Sequence, residues 1–522
     1  MNKTVVSGYS GAIKGNGGRI VLFFLLFLLA IYEFVTAGFA PFAIVCLIPV
    51  MVLAVILAFR YKMACFWALF IINYILHFAG RHHLMPSGIP MSLYNEGLEI
   101  LLLALALIVS PSESKFSRSL NLMLLAILLW CGLGVAEVLN DTCGLGYNIG
   151  AWFAGFRLLC FQLVWTHLIF TIYIDNPERL NKLLKVWACL SLFSVYWTFN
   201  QKYFGFTPSE NLWLQTAGRT HIIQGGTLVR FFSTFSDAAN YGCNAAATAV
   251  TFMVIGITSR IRTDKIFYLL TSLAVVWGMF QSGTRTAIFC FAFGIMVFLV
   301  LSKSVKIIVP SAIVFGTLGF LLVFTNVGNG NQQIRRMRSA FNKDDASTAA
   351  RDINQDVMKK YLADAPWGIG IGTGMENVPS NNKFRKLSTL PPDSEYVFIW
   401  IRTGVIGITV FLIAMAMMFL GACWIVFFKL KSRSLMGIGA GICGAFAAIQ
   451  LGGYGNQVLL QYPNGLIFFG TLALVYTFPI IEQEWVEYEE KRIAVIEEKR
   501  LLKLEKKKEK EKLIKYRMDG IK

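Results

Sequence analysis

The stretch LSTLPPDSEYVFIWIRTGVIG, residues 387–407, joins a long polar segment to a long apolar one. Its two consecutive prolines interrupt any helix before them, because the residue preceding a proline disfavours the helical conformation. Asp393 or Ser394 then has the residue type that caps the first turn of a helix. The sequence therefore predicts a membrane helix that begins here with a carboxylate at its mouth, and we expect Asp393 to be a catalytic residue.

Other side chains of this helix fall close to Asp393. Tyr396 and Trp400 share its helical face, at i+3 and i+7. Glu395 and Arg402 fall on a neighbouring face, where they can pair along the helix. We expect Tyr396 and Arg402 to belong to a binding site around Asp393.

The composition indicates a membrane protein. Of 522 residues, 56% are hydrophobic and 15% are charged, whereas soluble domains have about 45–50% apolar and about 25% charged residues. The net charge of +18 is explained by basic cytoplasmic loops rather than by nucleic-acid binding. The ten cysteines show no metal-ligand spacing, so we expect neither a metal site nor a disulfide framework.

Apolar runs of about 20 residues, the length that crosses a bilayer, recur along the chain. They predict an all-α polytopic membrane protein of about 14 transmembrane helices, with a long extracytoplasmic loop that contains short helices. The predicted spans are residues 20–38, 41–59, 63–80, 95–110, 119–138, 151–173, 184–203, 237–258, 265–282, 286–302, 307–326, 396–428, 434–452 and 463–481.

The basic residues predict the orientation of these spans. Alternate connections are basic, such as Arg60/Lys62 and Arg260/Arg262, while residues 140–150 contain no Lys or Arg. The positive-inside rule then places both termini in the cytoplasm of a multi-pass membrane protein, with residues 326–395 outside. We expect four regions: spans in 1–325, an extracytoplasmic loop in 326–395, spans in 396–481 and a charged cytoplasmic tail in 482–522.

The loop and the tail carry local signals of their own. Ala346–Leu362 has the pattern of an amphipathic helix, and the glycine-dense residues 366–374 predict an irregular backbone loop. The tail is rich in Glu and Lys, which is typical of a solvated charged helix. A partner-binding segment is the alternative, although no heptad repeat persists along it.

Three predicted helices begin at the outer face, and each has an arginine nearby. They begin near Asp237, Thr286 and Tyr396, and the arginines are Arg230, Arg285 and Arg402. Helix N-termini and guanidinium groups both bind anions, and arginine matches phosphate oxygens in a bidentate way. This arrangement predicts a site for a strongly anionic group.

Each of these residues also has a structural interpretation. Asp237 can simply cap its helix, although capping does not explain why Asn240 and Asn244 continue the polar face inward. Arg285 can extend to outer headgroups. Arg157, within a predicted span, can do the same or face a cavity. Arg351 can be a solvated residue of the loop helix.

Three segments, in this order, resemble motifs of the O-antigen polymerase and O-antigen ligase superfamily of bacterial envelope glycosyltransferases. Residues 230–242 are similar to the family's arginine-started stretch that ends in an Asx-Asn pair. Residues 282–287, SGTRTA, are similar to its Ser-Arg signature at a helix start. Arg351, residues 364–372 and residues 393–407 together resemble its proline-led, glycine-alternating loop followed by a His-Asn-x-Tyr helix start and a G-x-x-G.

The resemblance implies a glycosyltransferase that uses a donor glycan linked through diphosphate to a polyprenyl lipid such as undecaprenol. Arg230 and Arg285, with Arg351 or Arg157, would bind the diphosphate, and Asp393 would accept a proton from the acceptor hydroxyl. No metal or other cofactor is implied. The implied partners are the lipid-linked donor, a glycan acceptor, membrane lipid and a chain-length regulator protein.

One position departs from the family pattern. Where ligases carry His-Asn, this chain has Asp393-Ser394. A single carboxylate does comparable work in the related peptidoglycan polymerases, so the departure favours a polymerase of oligosaccharide repeat units. The alternatives are ligase-like transfer of a finished glycan to a lipid or protein acceptor, and a polysaccharide flippase or transporter.

Overall fold

A computed structural model describes isolated positions between 21 and 45, and then residues 56–85, 90–108, 115–216, 223–224, 228–303, 305–330, 332–338, 346–389 and 392–519. The chain divides into two compact units, Met1–Trp67 and Ala68–Lys522. The second unit contains all of the candidate site residues.

The described chain is almost entirely helical. Its helices are α1 Lys62–Arg81, α2 Met91–Ile108, α3 Leu122–Ala136, α4 Ile149–Tyr173 with a π-helical turn at Arg157–Phe161, α5 Pro177–Tyr203, α6 Pro208–Thr216, α7 Ala238–Thr258, α8 Arg262–Gln281, α9 Arg285–Ser302, α10 Val305–Phe324, α11 Gln332–Arg338, α12 Ala346–Leu362, α13 Arg385–Thr389, α14 Glu395–Trp424, α15 Arg433–Gly455, α16 Gly470–Val475 and α17 Phe478–Asp519. One antiparallel pair of two-residue strands, β1 Ile223–Gln224 and β2 Leu228–Val229, interrupts the series.

Eight of the described helices are long and apolar enough to cross a membrane, or nine if one bent pair is a single span. The protein is therefore a polytopic α-helical membrane protein. Eight of the predicted spans coincide with these helices, and the predicted spans 20–38 and 41–59 lie mostly outside the described residues. The predicted span 463–481 is instead a break: Gly465–Val475 and Phe478–Glu511 meet at 83°.

Three further predicted spans, 184–203, 265–282 and 307–326, form the helices α5, α8 and α10. Among the described residues, these helices are not counted with the eight: α5 and α8 are long enough but less apolar, and in α10 only Ala312–Leu321 counts, as a shorter apolar helix. The helix predicted over Ala346–Leu362 is present with those bounds as α12.

Two helices form the centre of the bundle. In α7 and α15, 89% and 83% of the membrane-length window is buried, against 33–44% in the other candidate spans. Both helices are rich in Gly and Ala, which allow helix backbones to approach closely. A Cβ atom on Gly444 of α15 would lie 2.7 Å from the Gly294 carbonyl oxygen of α9, so a larger residue would force the two helices apart.

Hydrogen bonds between the connections of the described helices define two ends of the bundle. The loop-rich end contains the described parts of the connections around residues 82–85, 140–148, 204–237, 282–284, 325–394 and 456–464. The tail end contains the connections around residues 174–176, 259–261 and 430–432, and α17. Ion pairs connect the elements of the tail end. Lys115 pairs with Asp175 at 3.1 Å, and Arg492 of α17 pairs with Asp264 of α8 at 2.8 Å.

The first turns of the tail helix pack against the bundle. Trp485 and Glu489 are buried, and both contact Ser434 at the start of α15. Ile480 is exposed in the first turn of this helix, and its other large exposed apolar residues begin further along, at Val495. The predicted solvated helix is therefore correct for the distal part of the described tail, whereas its proximal part forms tertiary contacts.

Candidate functional site

The helix α14 and its π-helical continuation to Lys429 bend at Gly404. Gly404 has φ 65° and ψ −167°, a conformation available almost only to glycine. The rings of Tyr396 and Phe411 lie 6.3 Å apart, whereas a straight helix would separate these two positions by roughly 22 Å. Residues 395–403 and 405–429 are thus two helical segments that meet at a sharp angle.

The glycine-dense loop of residues 366–374 stabilises this bend. A straight helix would pair the carbonyls of Ile401 and Arg402 with amides four residues ahead. Here they accept instead from Ile369 N and Gly370 N, each at 2.9 Å. A Cβ atom on Gly404 would overlap the backbone of Pro366, so the loop and the bend fit only with glycine at this position.

Asp393 lies one residue before the cap of α14 and is exposed. Ser394 has the extended backbone of the N-cap, but its hydroxyl donates to the Gly453 carbonyl at 3.0 Å rather than to α14. The neighbouring Pro392 carbonyl accepts from Gln457 Nε2 at 2.6 Å. Ser394, rather than Asp393, therefore occupies the cap position, and the Asp393 side chain is exposed at the loop-rich end.

The next residues of α14 point into the protein. Glu395 is buried and accepts from the backbone N–H of Leu459 at 3.1 Å. Tyr396 donates through its hydroxyl to Gln450 Oε1 at 2.8 Å, and the Arg402 guanidinium lies 5.2 Å from the centroid of the Phe398 ring. The predicted Glu395–Arg402 contact is replaced by these partners, because Glu395 faces the end of α15.

Arginines converge on the turn of residues 282–285, where α9 begins. Arg230 Nη2 donates to Thr284 Oγ1 at 3.2 Å, and Arg285 is the first residue of α9. Arg336 of α11 donates to the Gly283 carbonyl at 2.7 Å. Sequence analysis did not single out Arg336, although it belongs to the basic run Arg335, Arg336 and Arg338 in the long loop.

Asp237 is the N-cap of α7 and accepts from Ala239 N at 2.8 Å and Asn240 N at 2.9 Å. The capping interpretation of Asp237 is therefore confirmed. Asn240 is fully buried, and its Nδ2 lies within hydrogen-bond distance of Gln461 Oε1 and the Tyr462 carbonyl. The polar face of α7 thus contacts residues 456–464 in the bundle interior.

Residues 456–464, NQVLLQYPN, connect the separate parts of the site. Asn456 Nδ2 donates to Thr286 Oγ1 at 3.2 Å, next to Arg285. Gln457 contacts Pro392, next to Asp393, and Gln461 accepts from Ser236 Oγ at 2.7 Å, next to Asp237. Sequence analysis missed this segment. Its polar residues between two apolar helices were the available signal.

Residues 269–412 match the family model described as O-antigen ligase. The match supports a relation of this region to the O-antigen ligase and polymerase superfamily. A search of curated proteins finds no match for the chain.

The O-antigen ligase domain holds Arg285, Arg351, Asp393, Tyr396 and Arg402. Arg351 lies on α12, and its side chain is outside the described part of the structure. The other candidates, Arg157, Arg230, Asp237 and Asn240, precede the domain. Contacts through Thr284 and through residues 456–464 bring Arg230, Asp237 and Asn240 to it.

Arg157 pairs with a carboxylate that sequence analysis did not name. Its guanidinium forms an ion pair with Glu96 of α2, and Asn95 Nδ2 of the same helix donates to Glu99 Oε1 at 2.8 Å. These residues lie outside the O-antigen ligase domain. Carboxylates are rare in membrane helices, so Glu96 and Glu99 in an otherwise apolar span were the signal for this buried cluster.

The O-antigen ligase domain thus presents two kinds of chemical group at the loop-rich end. One is a cluster of arginines on a turn at a helix start, which suits an anion. The other is the exposed carboxylate of Asp393, which suits proton transfer. Among the described residues, no three His, Cys, Asp or Glu side chains are placed to hold a metal ion together.

Proposed function

We propose that this protein polymerises polyprenyl-diphosphate-linked oligosaccharide repeat units into surface polysaccharide at the outer face of the bacterial cell membrane. One observation carries the proposal. In the region that matches the O-antigen ligase family model, the residue after Arg285 and the residue before Asp393 both contact the segment 456–464. Arg230 and Arg336 contact the turn just before Arg285.

In this proposal the arginines bind the diphosphate of the donor. The acceptor sugar hydroxyl attacks the anomeric carbon, the bond from that carbon to the phosphate oxygen breaks, and the lipid diphosphate leaves with the electron pair. Arg230 and Arg285 stabilise the charge that develops on the leaving group, with Arg351 contributing from α12. Asp393 accepts the proton of the attacking hydroxyl.

The remaining candidates position these groups in this proposal. Asp237 and Asn240 hold the start of α7 against residues 456–464, and Tyr396 and Arg402 hold the first segment of α14. Arg157 joins α2 to α4 through Glu96. We also propose that both termini are cytoplasmic, which places the loop-rich end outside, and that a chain-length regulator protein acts on the product.

The alternative within the same chemistry is a ligase that transfers a finished glycan to a lipid or protein acceptor. The carboxylate of Asp393, in place of the His-Asn pair of ligases, favours the polymerase. A flippase is less well supported, because the candidate groups gather at one end of the bundle instead of lining a path through it.

Purified full-length protein supplied with a lipid-diphosphate oligosaccharide tests the proposal. A polymerase yields a ladder of products that differ by one repeat unit, without added metal or nucleotide. A ligase yields a single larger product, and only when a second acceptor is present. Unchanged donor under both conditions would contradict both forms of the proposal.

A further inference from the structure

A polar cavity lies beside the bend of α14, on the side of the glycine-dense loop. It has a volume of about 200 Å³. One wall comes from residues 137–152, which link α3 to α4, and the other from residues 369–377. Hydrogen bonds from Asn140 Nδ2 to the Trp367 carbonyl and from Asn382 Nδ2 to the Cys143 carbonyl, both 2.8 Å, hold the two walls together.

The cavity contains a buried carboxylate with unused hydrogen-bonding capacity. Glu137 is 3% exposed and lines the cavity. Its Oε2 accepts from Asn140 Nδ2 at 2.8 Å, and the backbone N–H of Ile371 lies near the same carboxylate. Its Oε1 has no hydrogen-bond partner among the described residues. A buried acceptor without a partner is costly, so its presence in a cavity indicates a ligand that donates to it.

The other lining groups narrow the chemistry of that ligand. They include Asp141, Thr373 and Asn377, the backbone of the glycine-dense loop, and the indole of Trp152. Trp152 is oriented by a 2.8 Å hydrogen bond from its Nε1 to the Gly134 carbonyl. No Lys or Arg is among the described residues that line the cavity, so it does not suit a phosphate.

We propose that this cavity is a sugar-binding subsite, which takes one hydroxyl-rich ring of the glycan with a hydroxyl donating to Glu137 Oε1. Its identity as a glycan subsite rests on the function proposed above. Asp393 is nine positions before Arg402, which lies beside the cavity, so the two are separated by roughly 14 Å along the helical segment. The bound ring is therefore not the one that reacts, but a neighbouring ring that positions the chain.

The cavity wall is rigid enough to select its occupant. A Cβ atom on Gly372 would overlap the carbonyl of Ala151, so the loop packs directly on the first turn of α4. The amides of Ile369 and Gly370 are committed to the carbonyls of the α14 bend. A filled cavity thus contacts the same loop that stabilises the bend next to Asp393.

Cys143 provides a way to observe occupancy. It is a free thiol, half-buried, and lines the cavity. Burial, and then the charge of Asp141, raises the pKa of the Cys143 thiol, so labelling with N-ethylmaleimide is best run at about pH 8.5. Cys189, an exposed free thiol on α5 away from this cavity, is the internal control.

The probe is the free oligosaccharide repeat unit released from the host's own surface polysaccharide, without lipid or diphosphate. Full-length protein is labelled with and without it, and each cysteine is followed by mass spectrometry. We expect the oligosaccharide to slow labelling of Cys143 and not of Cys189. In Glu137→Gln, the oligosaccharide concentration that gives half-maximal protection of Cys143 should rise at least about tenfold. The reason is that the sugar hydroxyl loses its hydrogen bond to a buried carboxylate. Asp364→Asn is the control: it removes an exposed carboxylate of the loop and should leave that concentration unchanged.

A second variant keeps the test decisive if Glu137→Gln does not fold. Leu145 is 46% exposed and lines the cavity, so Leu145→Trp fills the cavity at little cost to folding and should also abolish protection. The subsite would be overturned if the oligosaccharide did not protect Cys143 in wild-type protein, or if protection were unchanged in both folded variants. Protection of Cys143 by Ca²⁺ alone would overturn it as well. Protection without any transfer from a lipid-diphosphate donor would leave the subsite standing and remove the proposed polymerase activity.

Discussion

At the scale of single residues, the neighbours of the candidate side chains decide what each can do. Asp237, Glu395 and Tyr396 are all bonded to protein groups, and Arg157 is paired with Glu96. Asp393 is exposed beside a cap position that Ser394 occupies. Its exposure gives an acceptor hydroxyl access to the carboxylate, which suits proton transfer, and the more buried residues are better candidates for support.

Asp393→Asn should reduce chain extension at least about a hundredfold, because an amide cannot accept the proton. Since Asp393 lies outside the cap position of α14, the variant should insert and fold normally. The measurement is the length distribution of surface polysaccharide in cells that depend on the variant, with Asp364→Asn as the control on the same loop. Long chains at normal abundance would remove Asp393 from the mechanism.

Arg285→Lys should lose activity by about tenfold or more, since an ammonium group cannot reproduce bidentate contacts to a diphosphate. The matched control is Arg335→Lys, which changes an exposed arginine of α11. Rates of transfer from the lipid-diphosphate donor, measured over a range of donor concentrations, make the comparison. Equal rates in wild type and Arg285→Lys would mean that charge alone matters at this position.

At the scale of elements, the bend of α14 is what brings the site together. The loop of residues 366–374 supplies amides to carbonyls that the bend leaves without helical partners. The first segment of α14 is thereby directed toward the end of α15, where Ser394 contacts Gly453. A continuous helix would carry Asp393 away from the segment 456–464.

Gly404→Ala should destabilise the fold by about 1–3 kcal/mol, because alanine does not tolerate this backbone conformation. The transfer rate should fall by more than the loss of folded protein explains, since the bend positions Asp393. Gly132→Ala is the control: Gly132 lies within α3 with no atom close to an added Cβ, and alanine there should be neutral or slightly stabilising. Thermal unfolding and transfer rates are both measured. Wild-type behaviour of Gly404→Ala would show that the bend is not required.

At the scale of the whole molecule, two buried helices organise the bundle and a long tail helix lies at the opposite end from the candidate site. The buried helices α7 and α15 both reach the loop-rich end, where Asn240 of α7 contacts Gln461 and the Gly453 carbonyl of α15 accepts from Ser394. The basic residues of the tail end agree with a cytoplasmic location for α17, which is the orientation that we propose.

This orientation can be tested by labelling in intact cells. In a cysteine-free variant, Lys383→Cys on the long loop should react with a membrane-impermeant maleimide. Lys508→Cys on the tail should react only after the membrane is opened. Both lysines are exposed, so access to the reagent is limited by the membrane alone. Labelling of Lys508→Cys in intact cells would reverse the proposed topology.

Local patterns in the sequence determined much of this protein. Hydropathy alone indicated a polytopic helical protein, the bounds of α12 followed from its amphipathic pattern, and the cap at Asp237 followed from residue type. These features depend on residues close together in the chain, so they can be deduced from the sequence. The motifs around residues 282–287 and 393–407 likewise pointed to the O-antigen ligase family.

Only the tertiary structure decided which distant groups meet. The bend at Gly404 depends on the loop of residues 366–374, and Arg157 meets Glu96 of a different helix. Residues 456–464 carry no recognisable motif, yet they contact the neighbours of Arg285, Asp393 and Asp237. Contacts of this kind depend on how the helices pack against one another, and no periodicity within a single helix records that packing.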